Sequence, residues 1–552
     1  MKRRDVIKTL GVLPIAGLSG VSLAKNATVQ DSRTRLLNVL ANQTAGNAAG
    51  PEIYTAIGVE PVINCRGTFT IIGGSAELPE VKDAIHAAAN YFVQYDELAA
   101  GVGQHLADLT GAEWGMVSSG CAAGMKHVTV ACVTGGNPEK LIQLPDIRGF
   151  DKTEVIIPRH SRNNYDHSIR NVGVRVVTVE TLDELKAAIG PQTAMIYLLA
   201  HNASDSGPLS TESIVAVAKP WNVPVLVDAA AEDLTIPNVH LARGADVVTY
   251  SGGKVMCGPQ GAGLVLGKKS ILQAAWQASA PHHGIGRNDK VGREETLGMV
   301  AAVEAWIKRD HQKEWQKWLS WLDTIEKRVS AVPGITTEVQ EPTALSNHSP
   351  TLTISWDANA LHVTGEEFAD ELAHTKPRIA LQAGELKENG ATSITITAFQ
   401  MQDGNDRIVA DRIHELLSKK RTPKPKTMAA AAHQLDGRWD VTIHFFHGES
   451  THVFLLEQKG NWINGIHQGD FHSRGLVGSI EGDSIKFRSV FRRPGDSLVY
   501  SFSGTVTGDS GNTISGNLHM GEYLECTFTA RKHEYTEEIK PIKIPVGPPL
   551  AT

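Results

Sequence analysis

Between about Tyr54 and Lys420 short runs rich in Val, Ile and Leu recur, each too brief for a helix and each bounded by polar or glycine-bearing segments. They are Trp114 to Val117, Glu154 to Ile157, Val174 to Val179, Ala194 to Leu199, Val223 to Val227 and Val247 to Tyr250. Helix-like segments lie between several of them. Thr181-Leu-Asp-Glu184, for instance, is a capping box that opens an amphipathic run. Strands without a polar face need cover on both sides, so the alternation predicts a mostly parallel sheet with helices on both faces. At 552 residues the chain is too long for one hydrophobic core, and further domains are expected.

A long helical stretch follows from about Glu295 to Val329. It carries Trp306, Trp315, Trp318 and Trp321 among its apolar positions, most simply as core or interdomain packing. Beyond it, TLTISW, EEFADELA, SITITAF and DRIVADRIHELL predict a smaller α/β domain. Lys419 to Gln434, with basic residues, two prolines and an alanine run, reads as a linker.

From Gly437 to His533 apolar residues alternate, as in Trp439, Val441, Ile443 and Phe445, between turn signals such as HGES, QKGN and RPGDS. That pattern predicts an antiparallel all-β barrel or sandwich. Its histidines include His444, His447, His452, His467 and His519. Because His444 and His447 have opposite strand parity, no chelating pair is evident, so solvated or edge histidines are expected and no metal is assigned. The expected organisation is 1–24 signal, 25–50 flexible leader, 51–298 large sheet domain, 299–418 connecting helix and small α/β domain, 419–434 linker, 435–535 β domain and 536–552 tail.

The first residues place Arg3 and Arg4 before a moderately apolar run that ends in Ser22-Leu23-Ala24, a small-x-small cleavage pattern. This looks like a bacterial twin-arginine signal, which implies a periplasmic protein exported already folded through the twin-arginine machinery. Fifty-three basic residues against sixty acidic ones give a formal charge of -7 without a basic stripe, which disfavours a nucleic-acid partner. The five cysteines are odd in number and scattered, so neither an essential disulfide nor a structural zinc is expected.

The chemistry gathers at strand ends. In VVTYSGGKVMCGPQGAG, Lys254 lies just beyond a strand, with Ser251 three residues before it and two glycines between. A lysine so placed can lie close to a bound phosphate while its amine reaches an aldehyde, as an internal Schiff base requires; taken alone, it also reads as a polar residue of a glycine-rich turn. Asp228 follows an apolar strand, where burial is costly unless it pairs with a cation such as a protonated pyridine nitrogen; taken alone, it also reads as a helix cap or ion-pair residue. Ser119, Gly120 and Cys121 stand where a strand enters a helix, a phosphate site made of free backbone amides, or simply a place of close packing. His160 and His201 also follow strands. In open α/β sheets ligands bind at this edge, where His160 is expected to stack on a cofactor face, with His167 as fallback, and His201 to bond or move protons; taken alone, each also reads as a hydrogen-bonded histidine of a loop.

These segments, together with VINCRGTFTIIGGS, RHSRNNYDH and KVGREETLGM, resemble fold-type I pyridoxal phosphate enzymes, and more closely the branch containing selenocysteine synthase and D-glucosaminate-6-phosphate ammonia lyase. The resemblance covers about Tyr54 to Leu417. It implies pyridoxal 5'-phosphate as cofactor, Lys254 as the Schiff-base lysine, Asp228 on the ring nitrogen, and Ser119, Gly120 and Ser251 near the phosphate. It also implies a homodimer or higher homo-oligomer and a small amino substrate. Cys65-Arg66 departs from the pattern, since smaller residues are expected there. Arg378, Arg66 and Arg287 are candidates to hold the substrate carboxylate. The expected reaction is α,β-elimination with ammonia release. Racemisation, aldol cleavage, selenium transfer and a non-catalytic binding protein are the alternatives.

Overall fold

The computed structural model describes residues 35–41, 50–425, 427–508 and 511–535. The expected signal (1–24) and tail (536–552) lie outside the described residues. The leader expected to be flexible carries a helix, Arg35–Ala41, and its residues 25–34 and 42–49 also lie outside.

The six apolar runs form one sheet with a seventh strand that the pattern did not mark: β1 (Trp114–Ser118), β2 (Glu154–Pro158), β3 (Arg175–Val179), β4 (Thr193–Leu199), β5 (Val225–Asp228), β6 (Val247–Ser251) and the added β7 (Gly263–Gly267). Its order is β1-β7-β6-β5-β4-β2-β3. Only β7 runs antiparallel to its neighbours; the pairs among β2 to β6 are parallel. Strands β1, β5 and β7 are buried at every position, as expected for strands covered on both faces. The carboxyl ends of the parallel strands therefore share one edge, where Ser118, Pro158, Leu199, Asp228 and Ser251 stand.

The long helical stretch is two helices, α2 (Arg293–Lys308) and α3 (His311–Val329). Asp310 breaks it by accepting from the Lys313 amide at 3.0 Å as the N-cap of α3. Of its tryptophans, Trp306 and Trp321 are buried, the first in the large-domain core, where its Nε1 donates to the Leu234 carbonyl, and the second in the small-domain core.

Four antiparallel strands, β8 (Thr336–Gln340), β9 (Thr351–Asp357), β10 (Gln382–Ala383) and β11 (Ala391–Thr397), build the small domain in the order β10-β11-β9-β8, with helices Gly365–His374 and Asn405–Leu417. A two-residue parallel ladder joins Ile63-Asn64 to Ile379-Ala380. From it the chain crosses back to the large domain, where the Ser75 amide bonds the Gly253 carbonyl and the Leu78 amide the Cys257 carbonyl. The linker is pinned to the small domain: Lys419 and Arg421 pair with Glu371, and Lys424 with Glu367.

The C-terminal strands close into a barrel of eight: β12 (Gly437–Phe445), β13 (Gly448–Lys459), β14 (Trp462–Gln468), β15 (Ser473–Glu481), β16 (Ser484–Arg493), β17 (Asp496–Thr507), β18 (Thr513–His519) and β19 (Glu525–Lys532). Closure leaves no free sheet edge. The β16–β17 hairpin touches the loop that follows β2, where Arg162 donates to the Pro494 carbonyl at 3.0 Å and Arg170 reaches Asp496 at 3.4 Å. Asp166, fully buried, accepts from both arginines. The expectation of solvated or edge histidines fails for His452 and His467, which are buried inside the barrel. Both share strand parity with core residues, His452 with Phe454 and Leu456, and His467 with Ile463.

Candidate active site

Asp228 ends β5 and is 2% exposed. Tyr197 Oη donates to its Oδ2 at 2.9 Å, while the Ala230 amide at 3.1 Å and Cys121 Sγ at 3.3 Å donate to Oδ1. Burial nonetheless pushes its carboxyl above the usual carboxylate range, against the pull of those donors and of the Lys254 charge. No described cation lies within ion-pair distance of it. Burial first, and the Asp228 charge second, also push Tyr197 and Cys121 well above their ordinary values, so both remain protonated donors.

Half-buried Lys254 lies three residues beyond β6 in a turn held from several sides. Arg309 donates to the carbonyls of Val255 at 3.1 Å and Met256 at 2.8 Å, and Gln260 Nε2 reaches the Thr70 carbonyl at 3.4 Å. Cys257 takes a positive φ of 52°, unusual for a residue with a side chain. A Cβ on Gly253 would come within 2.7 Å of Gln260 Cα, so the turn is compact enough to require glycine there.

Helix α1 (Gly120–Thr134) starts at the end of β1. Ser119 is its N-cap, yet the serine side chain bonds none of the helix amides, and no acidic residue occupies the first turn. The positive end of a fifteen-residue helix is thus left without an anion of its own. Gly263, at the start of β7, permits this arrangement, since a Cβ there would lie 2.4 Å from Gly120 C and 2.5 Å from Cys121 N.

His160 and His201 meet, with Nδ1 of the first 3.2 Å from Nε2 of the second and their rings edge to face at 5.1 Å. His201 is the N-cap of Asn202–Asp205, where its Nδ1 accepts from the Ala203 amide at 3.2 Å. That bond leaves Nε2 as its donor, toward the His160 carbonyl at 3.1 Å or His160 Nδ1. The structure thus gives His201 a positioning place behind His160. His160 Nε2 is buried without a partner, and burial, with His201 beside it, depresses its proton affinity.

The three arginines are placed differently. Arg378 spends its guanidinium on backbone carbonyls, Ala373 at 2.6 Å and Glu60 at 3.0 Å. Arg287 is exposed. Arg66 lies on the segment that crosses to the Lys254 turn, with its guanidinium 4.6 Å from the Phe69 ring. Sequence reasoning missed Tyr197 and its partner Asn163, whose Nδ2 donates to Tyr197 Oη at 3.0 Å. The available signal was a tyrosine inside a wholly apolar strand, which needs a buried partner.

Comparison with known proteins bears on the family and the fold. Residues 160–341 match the aminotransferase class-V family. The chain is 32% identical over 306 residues to D-glucosaminate-6-phosphate ammonia lyase of Salmonella typhimurium, covering 53% of this chain and 79% of that one. It belongs to the fold-type I pyridoxal phosphate enzymes. A solved structure of D-glucosaminate-6-phosphate ammonia lyase superposes with a TM-score of 0.59 at 26% identity, covering 68% of this chain and all of that one. The 5'-C-glycyluridine monooxygenase-decarboxylase of Streptomyces is 28% identical over 66% of this chain and 92% of its own.

The family cofactor is pyridoxal 5'-phosphate, and the residues present fit it. Asp228 is a buried carboxylate, held by donors, that lacks a cation. The start of α1 offers free amides and an unused serine hydroxyl, and His160 has an orphaned ring nitrogen. A heterocycle with a protonatable nitrogen, an aldehyde and a phosphate suits that donor set.

Proposed function

We propose that the protein is an exported lyase that acts on an amino acid or amino sugar acid carrying a β-hydroxyl. It eliminates across the Cα–Cβ bond to release ammonia and a keto acid. The observation that carries this reading is the pairing of the Lys254 turn with the buried, cation-free Asp228 on one sheet edge. The ammonia lyase of Salmonella supports the choice of reaction.

When bound, pyridoxal phosphate supplies an electron-withdrawing ring that stabilises charge at the substrate α-carbon. Asp228 keeps the ring nitrogen protonated, and Tyr197 and Cys121 keep that carboxylate fixed and ionised. Ser119 with the amides of Gly120 and Cys121, and Ser251 beside them, bind the phosphate. His160, set by Ser161 and His201, presents its ring for stacking. Lys254 Nζ removes the α-proton and helps the β-hydroxyl leave as water. The enamine so released takes up one water, giving the keto acid and ammonia, so one amino acid becomes one keto acid and one ammonia. Of the three arginines, Arg66 is best placed to hold the substrate carboxylate, because Arg378 is already engaged.

Racemisation, retro-aldol cleavage and selenium transfer use the same cofactor groups and are the outcomes against which this reading is tested. Incubation with D- and L-amino acids bearing a β-hydroxyl is expected to release ammonia without inverting the substrate, while an inverted enantiomer or an aldehyde product refutes the elimination. Borohydride treatment is expected to fix a pyridoxyl group on Lys254, and Lys254→Ala to abolish ammonia release. The proposal includes periplasmic export and a homodimer. Exposed Ile71, Tyr91 and Phe92, the last 95% exposed, support a second copy covering these side chains.

A further inference from the structure

The segment that follows β2 carries two of the groups assigned above to the cofactor pocket. His160 presents its ring, and Asn163, three residues on, donates from Nδ2 to Tyr197 Oη at 3.0 Å, which in turn donates to Asp228 Oδ2 at 2.9 Å. Little regular structure holds this segment. It consists of two single-turn 3₁₀ helices, Arg159–Ser161 and Asn164–Asp166, and the four-residue helix His167–Arg170. Turns so short make too few internal hydrogen bonds to fix a side chain, so the place of Asn163 depends on support from outside.

That support is a charge cluster. Asp166 is fully buried and accepts from Arg162 Nε on one oxygen and from Arg170 Nε, at 2.9 Å, on the other. Two guanidiniums on one carboxylate leave a positive excess that is costly in a part-buried place without further acceptors. Thr178 Oγ1, on β3 of the same domain, takes Arg162 Nη1 at 2.8 Å. Two further acceptors come from the barrel. The Pro494 carbonyl takes Arg162 Nη2 at 3.0 Å, and Asp496 Oδ2 lies 3.4 Å from Arg170 Nη2 while it also holds Arg493 of its own hairpin at 2.7 Å.

Between these two acceptors stands Gly495, at a φ of 79°. A Cβ there would lie 2.6 Å from Asp166 Oδ2, 3.0 Å from Arg162 Nη2 and 3.2 Å from the Asn163 carbonyl oxygen. The hairpin tip is therefore seated on the cluster and on the backbone of Asn163 itself. Gly482, in the turn between β15 and β16, makes the contrast: its φ is 56°, yet a Cβ there would meet nothing within 4 Å. Contact with the large domain, and not turn chemistry, distinguishes the β16–β17 hairpin.

We propose that the C-terminal barrel positions the cofactor pocket. The Pro494 carbonyl, Gly495 and Asp496 hold the segment 159–170 through Arg162, Asp166 and Arg170, so that Asn163 keeps the Tyr197 hydroxyl on Asp228. These are positioning residues, which act through Tyr197 and Asp228. This role rests on the placement of Asp228 at the ring nitrogen proposed above and is independent of which reaction follows.

Titration of full-length apoprotein with pyridoxal phosphate, followed by absorbance, tests this on Gly495→Ala and Asp496→Asn, with Gly482→Ala as the matched strained turn and Tyr197→Phe as the reference for the pocket. Gly495→Ala is expected to bind pyridoxal phosphate about three- to tenfold more weakly, Asp496→Asn about twofold or more weakly, and Gly482→Ala within about twofold of wild type even where its melting temperature falls. In a Tyr197→Phe background Gly495→Ala is expected to lose most of its effect, because both act on one hydrogen bond. In the apoprotein, residues 159–170 are expected to exchange amide hydrogens faster in Gly495→Ala than in wild type, and unchanged exchange would overturn the proposal. Asp496→Asn, which keeps the shape of the turn, decides the same question if Gly495→Ala does not fold. Wild-type affinity in the hairpin variants with Tyr197→Phe weakened would overturn the positioning role and leave the assignment of Asp228 standing, whereas wild-type affinity in all of them would overturn both. Equal weakening in Gly482→Ala would overturn the role by making the effect one of barrel stability, and so would effects of Gly495→Ala and Tyr197→Phe that multiply in full.

Discussion

Replacing Tyr197 by Phe isolates the environment of Asp228. The hydroxyl lies 2.9 Å from Asp228 Oδ2 and accepts from Asn163 Nδ2 at 3.0 Å, so the substitution removes one of three donors to the carboxylate and orphans an amide. In the apoprotein burial opposes the charge on Asp228 and weakens it as an acceptor, which sets the lower bound for the lost bond at the neutral figure, about 1 kcal/mol. With a protonated ring nitrogen beside it the carboxylate is ionised, and the same bond is worth about 1.5–3 kcal/mol. The difference, roughly 0.5–2 kcal/mol, appears as cofactor affinity and predicts pyridoxal phosphate binding about two- to thirtyfold weaker. The Asn163 penalty falls on both states and lowers the melting temperature of apo and holo forms alike. Titration of Tyr197→Phe apoprotein with pyridoxal phosphate, followed by absorbance, measures the first effect, and thermal melts measure the second. An unchanged dissociation constant with a lowered melting temperature would reduce Tyr197 to a packing residue and refute the argument.

Two further outcomes follow from the geometry. In Gly263→Ala the new methyl would collide with the backbone of Gly120 and Cys121; displacing the start of α1 should cost about 1–3 kcal/mol and weaken cofactor binding, and wild-type affinity in a titration would show that the amides there do not hold the phosphate. His467, depressed from 6.5 to about 3, takes up its proton in the unfolded chain first. Its contribution is therefore fully present above pH 6.5 and is lost as pH falls toward 3, by at most about 1.4 kcal/mol per pH unit. Urea unfolding of the full chain at pH 7, 5.5 and 4.5 should show the barrel transition moving to lower urea with a slope that His467→Gln reduces. A transition that does not move with pH would refute the buried, neutral assignment.

Local patterning made much of the architecture legible. Short runs of branched apolar residues marked β1 to β6 to within a residue or two, because a strand covered on both faces must be apolar throughout. The alternation after Gly437 marked the barrel strands for the same reason, with one face in and one out. Asp228 and Lys254 stood out because polar groups just beyond such strands fall on the ligand-binding edge. The helical stretch after Glu295 looked continuous because its period survives the interruption at Asp310, where a single cap hydrogen bond ends the pattern.

Sequence by itself thus determined which residues face a core and which stand at strand ends, since both depend on periodicity within a few neighbours. Tertiary structure alone decided which of these groups meet. Tyr197 and Asp228 lie on adjacent strands whose order is set by crossover connections, and Arg378 meets the Glu60 carbonyl only through the contact between Ile63-Asn64 and Ile379-Ala380. His452, His467 and Arg474 became one buried layer through strand register, while parity along a strand gives the face but not the partner across it.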